Sequence, residues 1–189
     1  MKVEPITSMK DVKNIKRLLQ DHPRNLLLFV MGINSGLRTQ DILTLRVKDM
    51  LDKKIGGRIV VTEKKTGKQN VTIINKEIAD TFQNYLEHCG CEVDEDQFLF
   101  QSRKGRKGNY PITTYRVTGL LKEWTAAINL KGNYGAHSLR KTFCYHQRVH
   151  FGVSWELLSK RLNHSSPSVT RRYIGVQDEE VEEILLNNI

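Results

Sequence analysis

Long apolar runs are missing from this chain. The longest, Leu26 to Met31, falls well below the roughly 18 residues that a membrane span needs, so no span is expected; no strongly amphipathic basic helix with large apolar anchors stands out either, so no membrane partner is expected. The opening residues, MKVEPITSMKD, lack the apolar core of a secretory signal. Cysteine is scarce: Cys89, Cys91 and Cys144 form no paired framework and read as reduced thiols of a cytoplasmic protein. The stretch His88-Cys89-Gly90-Cys91 has no second pair at zinc-ligand spacing, so metal is discounted. No glycine-rich loop fits a nucleotide, and no carboxylate cluster fits two magnesium ions. Internal repeats and long low-complexity segments are lacking too. The remaining shortage is of negative charge: 21 Asp and Glu stand against 30 Lys and Arg, for a net charge of +9 over 189 residues. That balance points to a polyanionic partner, nucleic acid before an anionic membrane surface.

The charge is also uneven. QSRKGRKGNY (residues 101–110) carries Arg103, Lys104, Arg106 and Lys107 with no acid, whereas DEEVEE (178–183) is the reverse. Helical periodicity dominates. Ser8 caps an amphipathic helix to about Gln20, with Val12, Ile15, Leu18 and Leu19 on one side. Pro23 suits the first turn of a second helix and Gly36 its stop; the centre, LLLFVMGI, is apolar all round and should be buried. Thr39 is placed as the cap of a third helix, TQDILTLRV. The period then changes. GRIVVTE and QNVTII flank KKTGK as a hairpin with Gly67 in the turn. KEIADTFQNYLEHC is helical, FLF (98–100) is a short strand candidate, and further helices cover Thr113–Ile128, His137 to about Phe151, SWELLSKRL after Ser154, and SSPSVTRRYI with Ser166 as cap and Pro167 next to it. A last acidic helix spans 178–187. The fold class is mainly α with a small antiparallel β-sheet (α+β).

Four constellations carry chemistry. In GAHSLRKTF, His137 and Arg140 share a helix face, which suits a phosphate: arginine offers a fork to two oxygens and histidine a hydrogen bond or a proton. In SGLRTQDIL, Arg38 sits at a helix start beside backbone donors, and Asp41 three positions on could orient an arginine. In KKTGK, a hairpin lysine can reach into a groove and donate a proton. In LNHSSPSVTRRYI, His164 precedes Tyr173 by nine residues; a phenol is a poor nucleophile unless cations assist it. Taken singly, each is better explained as a solvated face, a surface ion pair, a hairpin tip or a half-buried tyrosine.

Taken in order, Arg38, Lys65, His137-x-x-Arg140, His164 and Tyr173 resemble the tyrosine recombinase (phage integrase) family. SGLRTQDILTLRVKDM, EKKTGKQNVTII, HSLRKTF and LNHSSPSVTRRYI are each similar to a box of that family. The resemblance implies the catalytic-domain fold of these DNA breaking-rejoining enzymes over residues 1–175, with 176–189 as a tail helix that packs on its own domain or exchanges between protomers. Family members commonly carry an N-terminal core-binding domain, which is expected to be absent here. The implied activity is site-specific recombination of double-stranded DNA through a 3′-phosphotyrosine on Tyr173. Arg38 and Arg140 would clamp the phosphate, Lys65 would protonate the leaving oxygen with Lys64 as the fallback, His137 would serve as acid–base partner, and His164 would hydrogen-bond a phosphate oxygen. Asp41 matches the family's supporting acid. Neither metal, ATP nor any other cofactor is implied. Arg103, Lys104, Arg106, Lys107, Arg171 and Arg172, with Lys64, are expected at the DNA backbone. The implied assembly is a tetramer on DNA, monomeric or weakly associated when free, with accessory DNA-bending proteins as candidate partners and a bacterial, phage or mobile-element origin at the nucleoid. Two alternatives stay open: type IB topoisomerase-like relaxation, and a non-catalytic DNA-binding module of the same fold. The family's common glycine before the second histidine is Asn163 here, a residue that still adopts a left-handed cap.

Overall fold

A computed structural model describes residues 2–90, 94–102 and 109–175. Cys91, the basic cluster Arg103, Lys104, Arg106 and Lys107, and the acidic helix expected over 178–187 lie outside the described residues.

Helix α1 (Met9–Leu18) starts where the Ser8 hydroxyl accepts the Asp11 N–H, satisfying one of the orphan donors of a helix N-terminus. Helix α2 (Pro23–Ser35) begins with a proline whose missing N–H costs nothing in a first turn. It is buried through Leu27, Leu28, Phe29, Val30 and Met31. Gly36 ends it at φ +63°, where a Cβ would also stand 2.6 Å from Phe143 Cε1; conformation and space both demand glycine. A short helix α3 (Thr39–Ile42) and a 3-10 turn (Val47–Asp49) lead to strands β1 (Arg58–Thr62) and β2 (Gln69–Ile73). The strands pair antiparallel, Arg58 opposite Ile73 and Thr62 opposite Gln69, about a loop with Gly67 at φ +67°. Helices α4 (Lys76–Cys89), α5 (Thr114–Ala127), α6 (Ala136–Val149), α7 (Trp155–Leu162) and α8 (Pro167–Ile174) follow. The side chains of Asn75, Thr113, Ser154 and Ser166 cap α4, α5, α7 and α8.

Helix α2 is the central post, packed on α4 and α6. Gly32 permits the second contact, since a Cβ there would meet Leu139 Cδ1 at 2.6 Å. One large apolar cluster joins α1, α2, the inner face of the hairpin (Ile59, Val61), α4, α5 and Leu139 of α6. A smaller one gathers Cys144, Trp155, Leu158, Leu162 and Ile174, with Tyr173 against it. Helix α6 serves both clusters and so fixes α7 and α8 relative to α2. The N-terminal segment straps this junction: Ile6 N–H donates to Thr142 Oγ1 at 2.8 Å, and Lys2 Nζ donates to the Arg172 carbonyl.

Four expectations are corrected. Thr39 is not a cap; Arg38 occupies that position, and the Thr39 hydroxyl donates to the Ala136 carbonyl at 2.8 Å, tying α3 to α6. The third helix stops at Ile42 instead of running through TQDILTLRV, because the chain turns there to bury Leu43, Leu45 and Val47 in succession. Leu18 faces solvent at 42% exposure while Leu19 fills the core, so the stripe on α1 is narrower than expected. FLF forms no strand: it makes only isolated bridges, Arg46–Phe98 at its start and Gln101–Pro111 just after it, with Leu99 and Phe100 buried between them.

Candidate active site

Arg38 stands in the turn that Gly36 opens between α2 and α3. Its Nη1 lies 2.5 Å from Glu63 Oε2. Arg140, on α6, is only 2% exposed. Its Nη2 donates to the Leu162 carbonyl at 2.5 Å, whereas Nη1 is buried with no hydrogen-bond partner. His137 lies one turn before Arg140 at the rim, with part of its surface open to solvent and part packed into the site. Asn163 closes α7 in the left-handed conformation, φ 51°, and so swings the next residue, His164, back toward Arg140. His164 Nδ1 is 2.9 Å from Thr170 Oγ1, and its ring meets the Tyr173 ring edge-on with centroids 5.2 Å apart. Tyr173 occupies the last turn of α8, its hydroxyl buried and unpartnered. Lys141 Nζ sits 5.1 Å from the Tyr173 ring centroid. Lys64 and Lys65 are exposed on the hairpin loop. Next to Arg38 and His137 is a hollow of about 350 Å³ lined also by Gln40, Thr114, Tyr115 and Thr118.

The electrostatics show that these groups share one field. Burial, and then the charges of Arg140, Arg38, Lys141 and Lys65, hold the His137 pKa below the ordinary value. Burial, with Arg140, Arg38 and Lys65, lowers that of His164 to about 4 against a small opposing pull from Glu63. Both imidazoles are therefore neutral at pH 7. Burial also lowers Arg140 to about 10, with Arg38 pushing the same way, and raises Tyr173 to about 12 although Arg140 and Arg38 pull it down. Among the described residues no cluster of His, Cys, Asp and Glu could hold a metal ion, and no helix is long and apolar enough to cross a membrane.

The sequence profile of the phage integrase family matches residues 8–180. This chain belongs to that family, the tyrosine-type site-specific recombinases. It is 38% identical over 180 residues to the probable integrase/recombinase YoeC of Bacillus subtilis (strain 168), covering 94% of this chain and 92% of that one. The longer tyrosine recombinases that it matches are spanned over 45% to 59% of their length. Among solved structures, a XerA recombinase superposes with a TM-score of 0.77 at 19% identity, over 98% of this chain and 67% of that one. A XerH recombinase bound to its palindromic difH substrate, in a post-cleavage complex, superposes with a TM-score of 0.72 at 19% identity, over 97% and 53%. The fold is thus that of tyrosine recombinase catalytic domains.

Within this phage integrase fold Arg38, Lys65 and Arg140 lie near enough for their charges to act on both His137 and His164, and Tyr173 packs against His164. Among the described residues Asp41 pairs with no arginine. It is buried, its Oδ1 accepts the Lys64 N–H at 3.0 Å, and so it holds the hairpin backbone. The carboxylate that meets Arg38 is Glu63, which sequence reading missed. A strand-period signal was present, since Ile59, Val61 and Glu63 alternate inward. Lys141, buried beneath the tyrosine, was also missed. Arg171 and Arg172 are exposed on α8, and the Arg171 guanidinium lies 5.8 Å over the Trp155 ring.

Proposed function

We propose that the protein is a site-specific DNA recombinase that cuts and rejoins double-stranded DNA through a phosphotyrosine on Tyr173, within a catalytic unit formed by residues up to Gly175. The observation that carries the reading is geometric: the buried Tyr173 hydroxyl has no hydrogen-bond partner, its ring meets His164 edge-on with centroids 5.2 Å apart, and Nη1 of the buried Arg140 is likewise unpartnered. Such an arrangement suits phosphoryl transfer to a phenol oxygen, with a guanidinium donor left for the phosphate. Tyr173 Oη attacks phosphorus, the bond to the 5′ oxygen breaks, and a 3′-phosphotyrosine and a 5′-hydroxyl result. Arg38 and Arg140 hold the non-bridging oxygens as charge grows on them. Neutral His137 takes the phenol proton, and Lys65 gives one to the leaving oxygen. His164 Nδ1 and Thr170 Oγ1 share a hydrogen bond at 2.9 Å; in this reading the hydroxyl donates it, so that the imidazole proton sits on Nε2 and serves a phosphate oxygen. Rejoining runs the same steps backward, so the bond energy is conserved and no ATP is required. Exchange between two duplexes calls for four protomers on DNA. Lys64, Arg171 and Arg172 are exposed and cationic, and in this reading they bind the DNA backbone.

The test is covalent trapping on duplexes of randomised sequence that carry bridging 5′-phosphorothiolates, whose sulfur leaving group cannot re-attack efficiently. An adduct mapped by mass spectrometry to Tyr173, and missing from Tyr173→Phe, supports the reading. No adduct, or one on another residue, refutes it. Relaxation of supercoiled plasmid with no two-site recombinant product would turn the assignment to a topoisomerase.

A further inference from the structure

We infer that Glu63 and Asn163 form a matched pair that positions the catalytic groups, an inference that rests on the recombinase reading. Glu63 is 1% exposed, in a setting where a lone carboxylate would take up a proton. Burial does push its pKa up, but hydrogen bonds from Thr66, Asn70, Arg38 and Asn163 outweigh that and bring it down to about 2. Its acceptor positions are filled in pairs. Asn70 and Asn163 amides donate to Oε1 at 2.8 and 3.0 Å. On Oε2 the Thr66 hydroxyl donates at 2.6 Å and Arg38 Nη1 stands at 2.5 Å.

These four partners come from three separate parts of the chain, and each part bears a site group. Thr66 adjoins Lys65 on the hairpin loop, Arg38 is itself a site residue, and Asn163 precedes His164. Asn70 extends the link, for its Oδ1 accepts from Arg161 on α7, which also donates to the Val71 carbonyl at 2.9 Å. One carboxylate therefore sets the lysine, the first arginine and the second histidine relative to one another. With Nη1 engaged by Glu63, Arg38 keeps its remaining donors for phosphate oxygens. Asn163 has two tasks: its backbone supplies the left-handed turn that glycine would supply more easily, and its amide supplies the bond to Glu63 that glycine cannot.

The test compares wild type, Glu63→Gln, Asn163→Gly and the double variant. It reads single-turnover adduct formation on a phosphorothiolate duplex, DNA affinity by fluorescence anisotropy, and thermal melting. Asn163→Gly keeps the turn and removes only the amide, so it folds with a modestly lower Tm, the cost of one hydrogen bond to a buried carboxylate, and cleaves more slowly. Glu63→Gln slows cleavage by roughly 100-fold, the effect of an ångström-scale misplacement, while its DNA affinity stays within about threefold because no phosphate contact is lost. The double variant is no slower than Glu63→Gln, because both changes act through one contact. Multiplying effects, an Asn163→Gly that cleaves at the wild-type rate, or affinity falling in step with rate would overturn the pairing while wild type still forms its adduct. If Glu63→Gln fails to fold, Asn163→Gly decides alone. Wild type forming no adduct overturns the recombinase reading and the pairing with it.

Discussion

Tyr173→Phe should make the DNA-free protein more stable while ending its chemistry. The Tyr173 hydroxyl is buried with no hydrogen-bond partner. A buried, unsatisfied hydroxyl costs about 1–3 kcal/mol, because it gives up water and gains nothing. Phenylalanine removes that oxygen and leaves the ring in place against His164 and the Lys141 ammonium, so the packing with Cys144, Trp155 and Ile174 is kept. Taking the low end to allow for the nearby arginines, the gain is about 1 kcal/mol. For a chain of 189 residues that raises Tm by about 2–4 °C. Differential scanning calorimetry of the two proteins at pH 7 without DNA measures it directly, and the phosphorothiolate assay on the same samples should show no adduct from the variant. A Tm equal to or below that of wild type would refute the reasoning. It would mean that the phenol is bonded in solution and is not held unsolvated for attack.

Arg140→Lys keeps the charge but loses the planar fork; adduct formation should fall by about 10²–10³-fold with DNA affinity nearly unchanged in a binding titration, and wild-type cleavage would remove Arg140 from the phosphate. Gly32→Ala places a methyl 2.6 Å from Leu139 Cδ1; overpacking of this kind costs about 1–3 kcal/mol, read as a lower midpoint in urea, and a neutral result would show that α2 and α6 can separate freely. Acid should weaken the protein through His164. The unfolded histidine takes up a proton near 6.5 while the folded one resists to about 4, so this stabilisation is complete above about pH 6.5 and drains as the pH falls toward about 4. Urea melts at pH 7 and pH 5 should differ more for wild type than for His164→Asn. Cleavage has its own acid limit. His137 acts as neutral base and its pKa is lowered by burial and nearby cations, so the acid limb of kcat/KM should lie below pH 6.5, the ordinary histidine value; a limb above that value would exclude His137 as the base.

Local features of the fold were legible in the sequence because their causes are local. Ser8, Thr113, Ser154 and Ser166 bond N–H groups three residues away, and Gly36 and Gly67 mark turns that their own backbones require. What failed depends on distant partners. Thr39 resembles a helix cap until the Ala136 carbonyl, far along the chain, claims its hydroxyl. FLF has strand composition, but the segments beside it, around Arg46 and Pro111, each offer only an isolated bridge and no continuous ladder. The candidate site divides the same way. Its six family positions are visible as motifs, whereas Glu63 lies in TEKKTGK and reads as one more charge on a solvated hairpin. Its partners at positions 38, 66, 70 and 163 give it meaning only after folding.

The charge pattern of the site argues against a module that only binds DNA. Arg140 and Lys141 are 2% and 3% exposed, and burial with neighbouring cations lowers their pKa values to about 10 and about 8. Holding them there opposes folding; Glu63 offsets only part of it for Arg140, and Glu4 only part for Lys141. In the proposed reaction a phosphodiester held by Arg38 and Arg140 would supply the missing negative charge, and its pentacoordinate transition state, with more charge on the equatorial oxygens, would supply more. The attraction therefore grows along the reaction coordinate, which is the condition for speeding the step and not merely tightening the complex. Simple binding is served as well by exposed lysines reaching phosphates through solvent. It gains nothing from an arginine Nη1 buried without a hydrogen bond, and nothing from a phenol whose hydroxyl is kept from water. Both costs make sense when the phenol oxygen is to become a bond to phosphorus and the guanidinium is to hold the charge that develops there.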